Sequence, residues 1–391
     1  MSARFDARDR NHGIDALRGF AVLLVILLHV NIRIPINRSA LGAVLPRRVV
    51  WSFFTMGYEA VFVFFVVSGF LVCRTVLCRH GDLAALDVRS FYLRRAGRIL
   101  PPLALLVGIL SILSRSGFVP FRISPPATLS GAALSAFTLC TNAYLSFVGP
   151  LPPNWDVLWS LSIEETFYLG FPAVCLLMRR SRRGAVLVLV LLALALPLLH
   201  PDPAATNETW AEKATGPGLS AIALGIVAAL ATELAPVRRA AIPLRLLGLA
   251  TLAAALGWED VLIRLLGVGG DLLALAAGTA ALLVSLAVRP IPPGRLKPLF
   301  WLAPIGRRSY EIYLTHMFVV LAAVDLFRRT GSVGRLGHLW YPPIVLCAVV
   351  LGNLVAHLLS DPLDRAVRRT FGRAPPSRPP VPTDAGGGLA A

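Results

Sequence analysis

An arginine and a histidine lie eleven residues apart on the first strongly apolar segment of the chain, residues 14–30. Eleven residues of α-helix make about three turns, so Arg18 and His29 share one face of the predicted helix, about 16 Å apart along its axis. Only apolar residues separate them. Ionisable groups inside a membrane helix are costly to bury and mark functional sites, and an imidazole can act as a base near neutral pH. The alternative is that Arg18 anchors the helix at the interface and His29 is a hydrogen-bonded helix residue.

A second polar group lies in the segment 155–171, where Glu164 and Glu165 open an apolar helix. Glu164 and Tyr168 are one helical turn apart on the same face, and Ser160 lies one turn before Glu164. A carboxylate in an apolar helix costs several kcal/mol unless it is paired. We therefore expect a polar site here, although solvated acids near a helix N-terminus would also suit the helix dipole.

A third group is cationic and lies in residues 91–102. Arg94 and Arg98 are four residues apart and Arg95 is adjacent, which predicts a concentrated positive face just before an apolar helix. Guanidinium groups bind phosphate with two hydrogen bonds, so this face could hold a nucleotide-bearing cofactor. The alternative is that these arginines only set the membrane topology.

Two further segments carry small or polar-aromatic residues. The Ser68-Gly69 pair in residues 61–71 permits close helix packing. In residues 308–319, Tyr310, Tyr313 and His316 recur every three residues and form a polar-aromatic stripe along the predicted helix. An isolated membrane histidine is usually a packed and hydrogen-bonded residue, so His316 is not our choice for the base.

The elements that position these residues must be membrane helices. The chain has 391 residues, of which 56% are hydrophobic and 15% charged, with a mean hydropathy of +0.70. Its apolar stretches are long enough for a hydrocarbon core of about 30 Å. The net charge of +17 does not indicate nucleic-acid binding, because the basic residues cluster at the ends of apolar segments. The five cysteines show no metal-ligand spacing.

The predicted fold is all-α: a polytopic helical bundle of about ten transmembrane helices plus one re-entrant or interfacial segment. That segment is 128–147. Three apolar segments lie between two arginine-rich loops that should both be cytoplasmic, and only an even number of them can cross. The Ser, Thr and Gly content of 128–147 makes it the weakest span of the three. The predicted domains are a cytoplasmic segment, 1–13, a membrane domain, 14–366, and a disordered cytoplasmic tail, 367–391. We therefore expect a protein of the plasma (inner) membrane with both termini on the cytoplasmic side.

Taken together and in order, these segments resemble the acyltransferase-3 family of integral membrane O-acyltransferases over residues 14–366. The matching pieces are the Arg-x10-His of Arg18 and His29, the FF-x-x-SGF around Ser68, the RR-x-x-R-I-x-P that includes Arg98, the WSLS-x-E-E-x-FY that includes Glu164, and the SY-x-x-YL-x-H that ends at His316. Two departures are Met317-Phe318 after the histidine and Ser360-Asp361-Pro362 near the end. Both are expected to lie away from the chemistry.

The resemblance implies transfer of an acyl group, usually acetyl from acetyl-CoA, to a hydroxyl of a carbohydrate. His29 is then the general base, and Glu164 orients it or holds the acceptor. Arg18 grips a donor phosphate or a pantetheine carbonyl, about one pantetheine arm away from His29. The CoA phosphates are expected to bind Arg94, Arg95 and Arg98. The expected substrate-binding residues are Ser68, Glu165, Tyr168, Tyr310, Tyr313 and His316.

Other readings stay open at this point. A proton-coupled transporter or flippase of a glycan or lipid-linked substrate would also place Arg, His and Glu inside the membrane. The sequence lacks the inverted repeat typical of such proteins. Within the enzyme reading, the acceptor is either a surface polysaccharide or a soluble glycosylated metabolite, and the expected partners are membrane lipid, acyl-CoA and that acceptor, with no metal and no nucleic acid.

Overall fold

The computed structural model describes residues 11–201, 207–292, 299, 301–330 and 334–371, with side chains to 366. Within these residues every regular element is a helix. We number the ten longest membrane-type helices in chain order: α1 His12–Asn31, α2 Gly57–His80, α3 Val88–Arg115, α4 Leu158–Arg180, α5 Arg182–Leu194, α6 Thr215–Ala231, α7 Ala241–Gly257, α8 Gly270–Val288, α9 Ser309–Arg329 and α10 Tyr341–Val355.

Shorter helices connect the long ones. The α-helical ones are Ala40–Val44, Arg47–Phe54, Leu129–Phe137, Thr141–Phe147, Pro153–Asp156, Leu196–Leu199, Glu208–Lys213, Ala235–Arg239, Glu259–Leu266, Leu302–Arg307 and Asp361–Phe371. Single turns of 3₁₀-helix are Ile36–Arg38, Leu83–Ala85 and Val119–Phe121, a longer one is Gly334–Trp340, and a π-helical turn is Ala356–Ser360. The expected tail starts inside the helix Asp361–Phe371, and residues 1–10 and 372–391 lie outside the described residues.

The bundle has the expected multi-pass character. Among the described residues, eight helices are long and apolar enough to cross a membrane, and a ninth crossing results if α7 and Glu259–Leu266, which meet at 100°, count as one span. The apolar segment 185–199 does not add to this count, because it is divided between α5 and Leu196–Leu199 and neither helix is long enough to cross. The segment 128–147 forms two short helices on either side of Leu139, whose φ is +60°, and neither is long enough to cross.

Helix α1 is fixed at its start and is packed closely near Arg18. The side chain of Asn11 accepts hydrogen bonds from the amides of Gly13 and Ile14 and so caps the helix. Further along, a Cβ atom added at Gly19 would lie 2.1 Å from the carbonyl oxygen of Leu302, at the start of the helix that precedes α9. Only glycine allows this approach, which brings Arg18 beside the first turn of α9.

Helices α2 and α6 also approach each other through glycines. A Cβ atom at Gly69 would lie 2.0 Å from the carbonyl oxygen of Ile222, and one at Gly225 would lie 2.1 Å from that of Val66. The close packing expected from the Ser68-Gly69 pair is confirmed. Because Gly69 faces α6, its neighbour Ser68 is free to face the interior of the bundle.

The glycine contact yields a stability prediction. Gly69→Ala should destabilise the bundle by about 1–3 kcal/mol, because α2 and α6 must separate to admit the methyl group. Thermal unfolding of the purified protein measures this as a lower melting temperature. Gly170→Ala is the matched control, since no atom lies within 4 Å of an added Cβ there and alanine favours a helix. Equal melting temperatures for the two variants would contradict the packing role of Gly69.

Candidate active site

A cavity of about 290 Å³ lies inside the bundle and is lined by side chains from five helices. Helix α1 contributes Arg18, α2 contributes Ser68, and α3 contributes Arg95 and Arg98. The polar residues from the other two helices are Ser160, Glu164, Glu165 and Tyr168 on α4 and Ser309, Tyr310 and Tyr313 on α9. The structure thus brings together most of the residues that the sequence singled out, although they are up to almost 300 positions apart in the chain.

Three of these side chains form a hydrogen-bonded network at the centre of the cavity wall. The hydroxyl of Ser68 donates to Oε1 of Glu164 and also contacts the hydroxyl of Tyr168. The Tyr168 hydroxyl donates to the same Glu164 oxygen at 2.6 Å. Glu164 and Tyr168 are one turn apart on α4, as expected. The two hydroxyl groups compensate for part of the cost of placing a carboxylate inside the bundle.

The network also supports a cation. The guanidinium carbon of Arg95 lies 3.5 Å from the centre of the Tyr168 ring, a cation–π contact. Arg98 lies one turn further along α3 and lines the same cavity. Arg94 does not line it, so two of the three arginines of the predicted positive face border the cavity. Helical spacing does not account for this, because around an ideal helix position 98 lies about 40° from position 94 and about 60° from position 95. What distinguishes Arg95 is its contact with the Tyr168 ring of α4.

Arg18 lies at the end of the cavity formed by α1 and α9. Its Nη2 donates to Oγ of Ser309 at 2.9 Å, and its Nη1 lies 3.7 Å from a carboxylate oxygen of Asp15. Ser309 is the first residue of α9. The serine was part of the predicted polar stripe, but its role as the partner of Arg18 follows only from the packing of α1 against α9.

Sequence reasoning missed the ion pair that holds the start of α9. Nη1 and Nη2 of Arg308 donate to the two carboxylate oxygens of Asp361, both at 2.7 Å. Arg308 directly precedes Ser309, so Asp361 is closer to the candidate site than its position in the sequence suggested. The signal for it was an acidic residue among the arginines near the chain end.

His29 lies at the other end of α1, outside the cavity lining. Its Nδ1 is 2.8 Å from the carbonyl oxygen of Val25, so Nδ1–H donates there in the neutral tautomer and Nε2 keeps its lone pair. Its ring centre lies 5.0 Å from that of His316 at an angle of 71°. The backbone of Val25, and not Glu164, therefore orients the imidazole.

His316 is also outside the cavity lining, and it is completely buried. Its Nδ1 lies 2.6 Å from the carbonyl oxygen of Tyr313, and its Nε2 has no hydrogen-bond partner. The rings of Tyr313 and His316 have centres 5.8 Å apart. The cavity therefore does not extend from Arg18 to His29, because Tyr313 borders it and the two histidines lie beyond Tyr313.

Charged groups surround the His29 end of the bundle. Nη1 of Arg33 donates to the carbonyl oxygen of His29 at 2.8 Å. Burial lowers the pKa of Arg33, and the negative charge of Asp156 opposes this shift. Asp156 in turn accepts from Lys213 at 2.5 Å.

Among the described residues, no three His, Cys, Asp or Glu side chains are grouped so that they could hold a metal ion.

The fold and this cavity define a multi-pass membrane protein with a charged chamber inside its helical bundle. Residues 11–358 match the family model of the acyltransferase domain, acyltransferase-3. The chain belongs to this family, whose model describes an acyltransferase domain. This membership favours the enzyme over the transporter.

Curated relatives are similar to the chain over different lengths. A Bacillus subtilis (strain 168) protein provisionally named peptidoglycan O-acetyltransferase YrhL is 27% identical over 388 residues, which is 92% of this chain and 56% of the relative. Peptidoglycan O-acetyltransferase OatA of Listeria monocytogenes is 29% identical over 184 residues, 45% of this chain and 26% of the relative. The chain thus spans about half or less of the length of these relatives. No solved structure matches it significantly.

The hydrogen-bonded network yields an activity prediction. Ser68→Ala should lower acyltransferase turnover about ten- to a hundredfold, because the Glu164 carboxylate loses one of its two hydroxyl donors. Ser111→Ala is the matched control, since its hydroxyl bonds only to the carbonyl of Val107 in its own helix. Turnover by purified protein measures both. Wild-type turnover of Ser68→Ala would contradict a functional role for the network.

Proposed function

We propose that this enzyme transfers an acyl group, acetyl in the simplest case, from acyl-CoA to a hydroxyl of a carbohydrate, with His29 as the general base. The observation that supports this most strongly is that Arg18, Arg95 and Arg98 surround one cavity. This cavity lies at the Arg18 end of α1, and His29 lies at the other end of the same helix. Two arginines on one face of α3 suit the phosphates of CoA. The distance along α1 of about 16 Å suits the pantetheine arm.

In this proposal the cavity is the donor site. Arg95 and Arg98 bind the phosphates on the cytoplasmic side of the plasma membrane. Both chain termini lie on that side as well. Arg18 holds a phosphate or a pantetheine carbonyl. Glu164 acts through its hydrogen bonds to Ser68 and Tyr168, which keep the Tyr168 ring under Arg95. The remaining contacts to donor and acceptor come from Glu165, Tyr310 and Tyr313 and, beside His29, from His316.

The chemical step follows from the His29 geometry. Because Nδ1–H donates to the carbonyl of Val25, Nε2 can take the proton of the acceptor hydroxyl. As it does so, the oxygen of that hydroxyl attacks the thioester carbon. The carbon–sulfur bond breaks, and the imidazolium returns the proton to the CoA thiolate. The names of the relatives favour a surface glycan as the acceptor. A soluble glycosylated metabolite is the second acceptor class to test.

The base assignment is tested with purified protein in lipid nanodiscs, radiolabelled acetyl-CoA and two acceptors, a muramyl disaccharide and a soluble glycoside. His29→Gln should lower acetyl transfer at least about a hundredfold, because glutamine cannot take the proton, while the KM for acetyl-CoA changes little. His80→Gln, which removes a histidine at the end of α2, is the control. Transfer by His29→Gln near the wild-type rate would remove the base from this proposal.

The donor assignment is tested by comparing two neighbouring arginines. Arg98→Gln should raise the KM for acetyl-CoA about tenfold, because it removes a charge-assisted phosphate contact from the cavity. Arg94→Gln removes the same charge from the same helix but outside the cavity lining, so its effect should be clearly smaller. Steady-state kinetics against acetyl-CoA measure both values. Equal effects would mean that general positive charge, and not the cavity, attracts the donor.

A further inference from the structure

A row of aromatic rings runs from the cavity to His29. Phe64 and Tyr313 both line the cavity, and their ring centres are 6.5 Å apart. The next ring is that of His316, 5.8 Å from Tyr313, and then that of His29, 5.0 Å from His316. An acyl group in the cavity therefore meets Tyr313 before it can reach the imidazole of His29.

The hydroxyl of Tyr313 forms hydrogen bonds to helix α4 and to Val157, the residue that directly precedes α4. The Tyr313 hydroxyl donates to the carbonyl oxygen of Val157 at 3.0 Å. It also lies 2.7 Å from Oγ of Ser160. The hydroxyl of Tyr310, which also borders the cavity, has no partner. Of these two cavity tyrosines, Tyr313 is the one that cannot leave its position without breaking two hydrogen bonds.

We propose that Tyr313 is a specificity-determining partition that keeps the acyl group away from His29 until an acceptor is bound, so that the acyl group passes to the acceptor and not to water. This inference rests on the proposed donor site and base. The two hydrogen bonds hold the closed position, and displacement of the ring joins the cavity to the histidine pair. Ser160 positions the partition through Tyr313.

The side reaction that the partition prevents is hydrolysis of the donor. With the ring displaced and no acceptor present, His29 takes a proton from water while the water oxygen attacks the thioester carbon. The carbon–sulfur bond breaks, the acyl group leaves as a carboxylic acid, and the CoA thiolate receives the proton. The products are one carboxylic acid and one CoA thiol for each water consumed, with no oxidant or metal required.

The first test compares acceptor-independent hydrolysis of acetyl-CoA with transfer to a glycoside. Tyr313→Phe keeps the ring but loses both hydrogen bonds, so the ratio of hydrolysis to transfer should rise about five- to tenfold. Tyr313→Ala should raise it further, and Ser160→Ala should raise it less. Tyr144→Phe, which also loses two hydrogen bonds but lies outside the cavity lining, should keep the wild-type ratio. A wild-type ratio in Tyr313→Phe and Tyr313→Ala would overturn the partition.

The second test does not depend on catalysis. In membrane vesicles whose outer face carries the Arg95 side, the membrane-impermeant anion 2-sulfonatoethyl methanethiosulfonate is applied to His29→Cys, alone and combined with Tyr313→Phe. Peptide mass spectrometry follows modification at position 29. We expect modification about fivefold faster in the combined variant, because two hydrogen bonds no longer hold the ring in the route.

The two tests separate the partition from the proposed function. Faster labelling together with a wild type that neither transfers nor hydrolyses acetyl from acetyl-CoA would support the partition and contradict the donor assignment. Equal labelling rates together with normal transfer would overturn the partition and leave the proposed function intact.

Discussion

The structure depends on the cost of placing charged side chains inside an apolar bundle. Arginine and glutamate cannot face hydrocarbon without partners, so the charged groups of α1, α3 and α4 must meet one another in the interior. Arg18 is paired with Ser309, Glu164 with two hydroxyls, and Arg95 with the ring of Tyr168. These pairs meet in one place and together form the polar cavity inside the bundle.

Glycine positions make that arrangement possible. Where Gly19 meets Leu302 and Gly69 meets Ile222, backbones touch without side chains between them. Each contact lies beside a cavity residue, Arg18 in one case and Ser68 in the other. The helices thus place chemistry next to their closest packing, where side-chain positions are least free to vary. The histidines lie at the other end of α1, between aromatic rings and a group of charged side chains, with their Nδ1 atoms held by backbone carbonyls.

The sequence predicted much of this and missed particular parts for physical reasons. Apolar length and arginine-rich loops predicted a multi-pass helical bundle, and helical spacing predicted the pairing of Glu164 with Tyr168. Spacing along one helix could not show which arginine faces inward, and Arg94 does not. It also could not reveal contacts between distant segments, such as Asp361 with Arg308, or that Tyr313 lies between Arg18 and His29. Those features depend on how α9 packs against α1 and α4.

The most direct measurement is a structure of the protein with an acceptor glycoside and a non-reactive acyl-CoA analogue in which a methylene group replaces the thioester sulfur. The proposed function predicts that the phosphates contact Arg95 and Arg98 and that the acyl carbonyl reaches the His29 side with Tyr313 displaced, so that an attacking hydroxyl held by His29 lies about 3–3.5 Å from the carbonyl carbon. An analogue bound elsewhere, or an acyl group that stays in the cavity far from His29 with acceptor present, would contradict it.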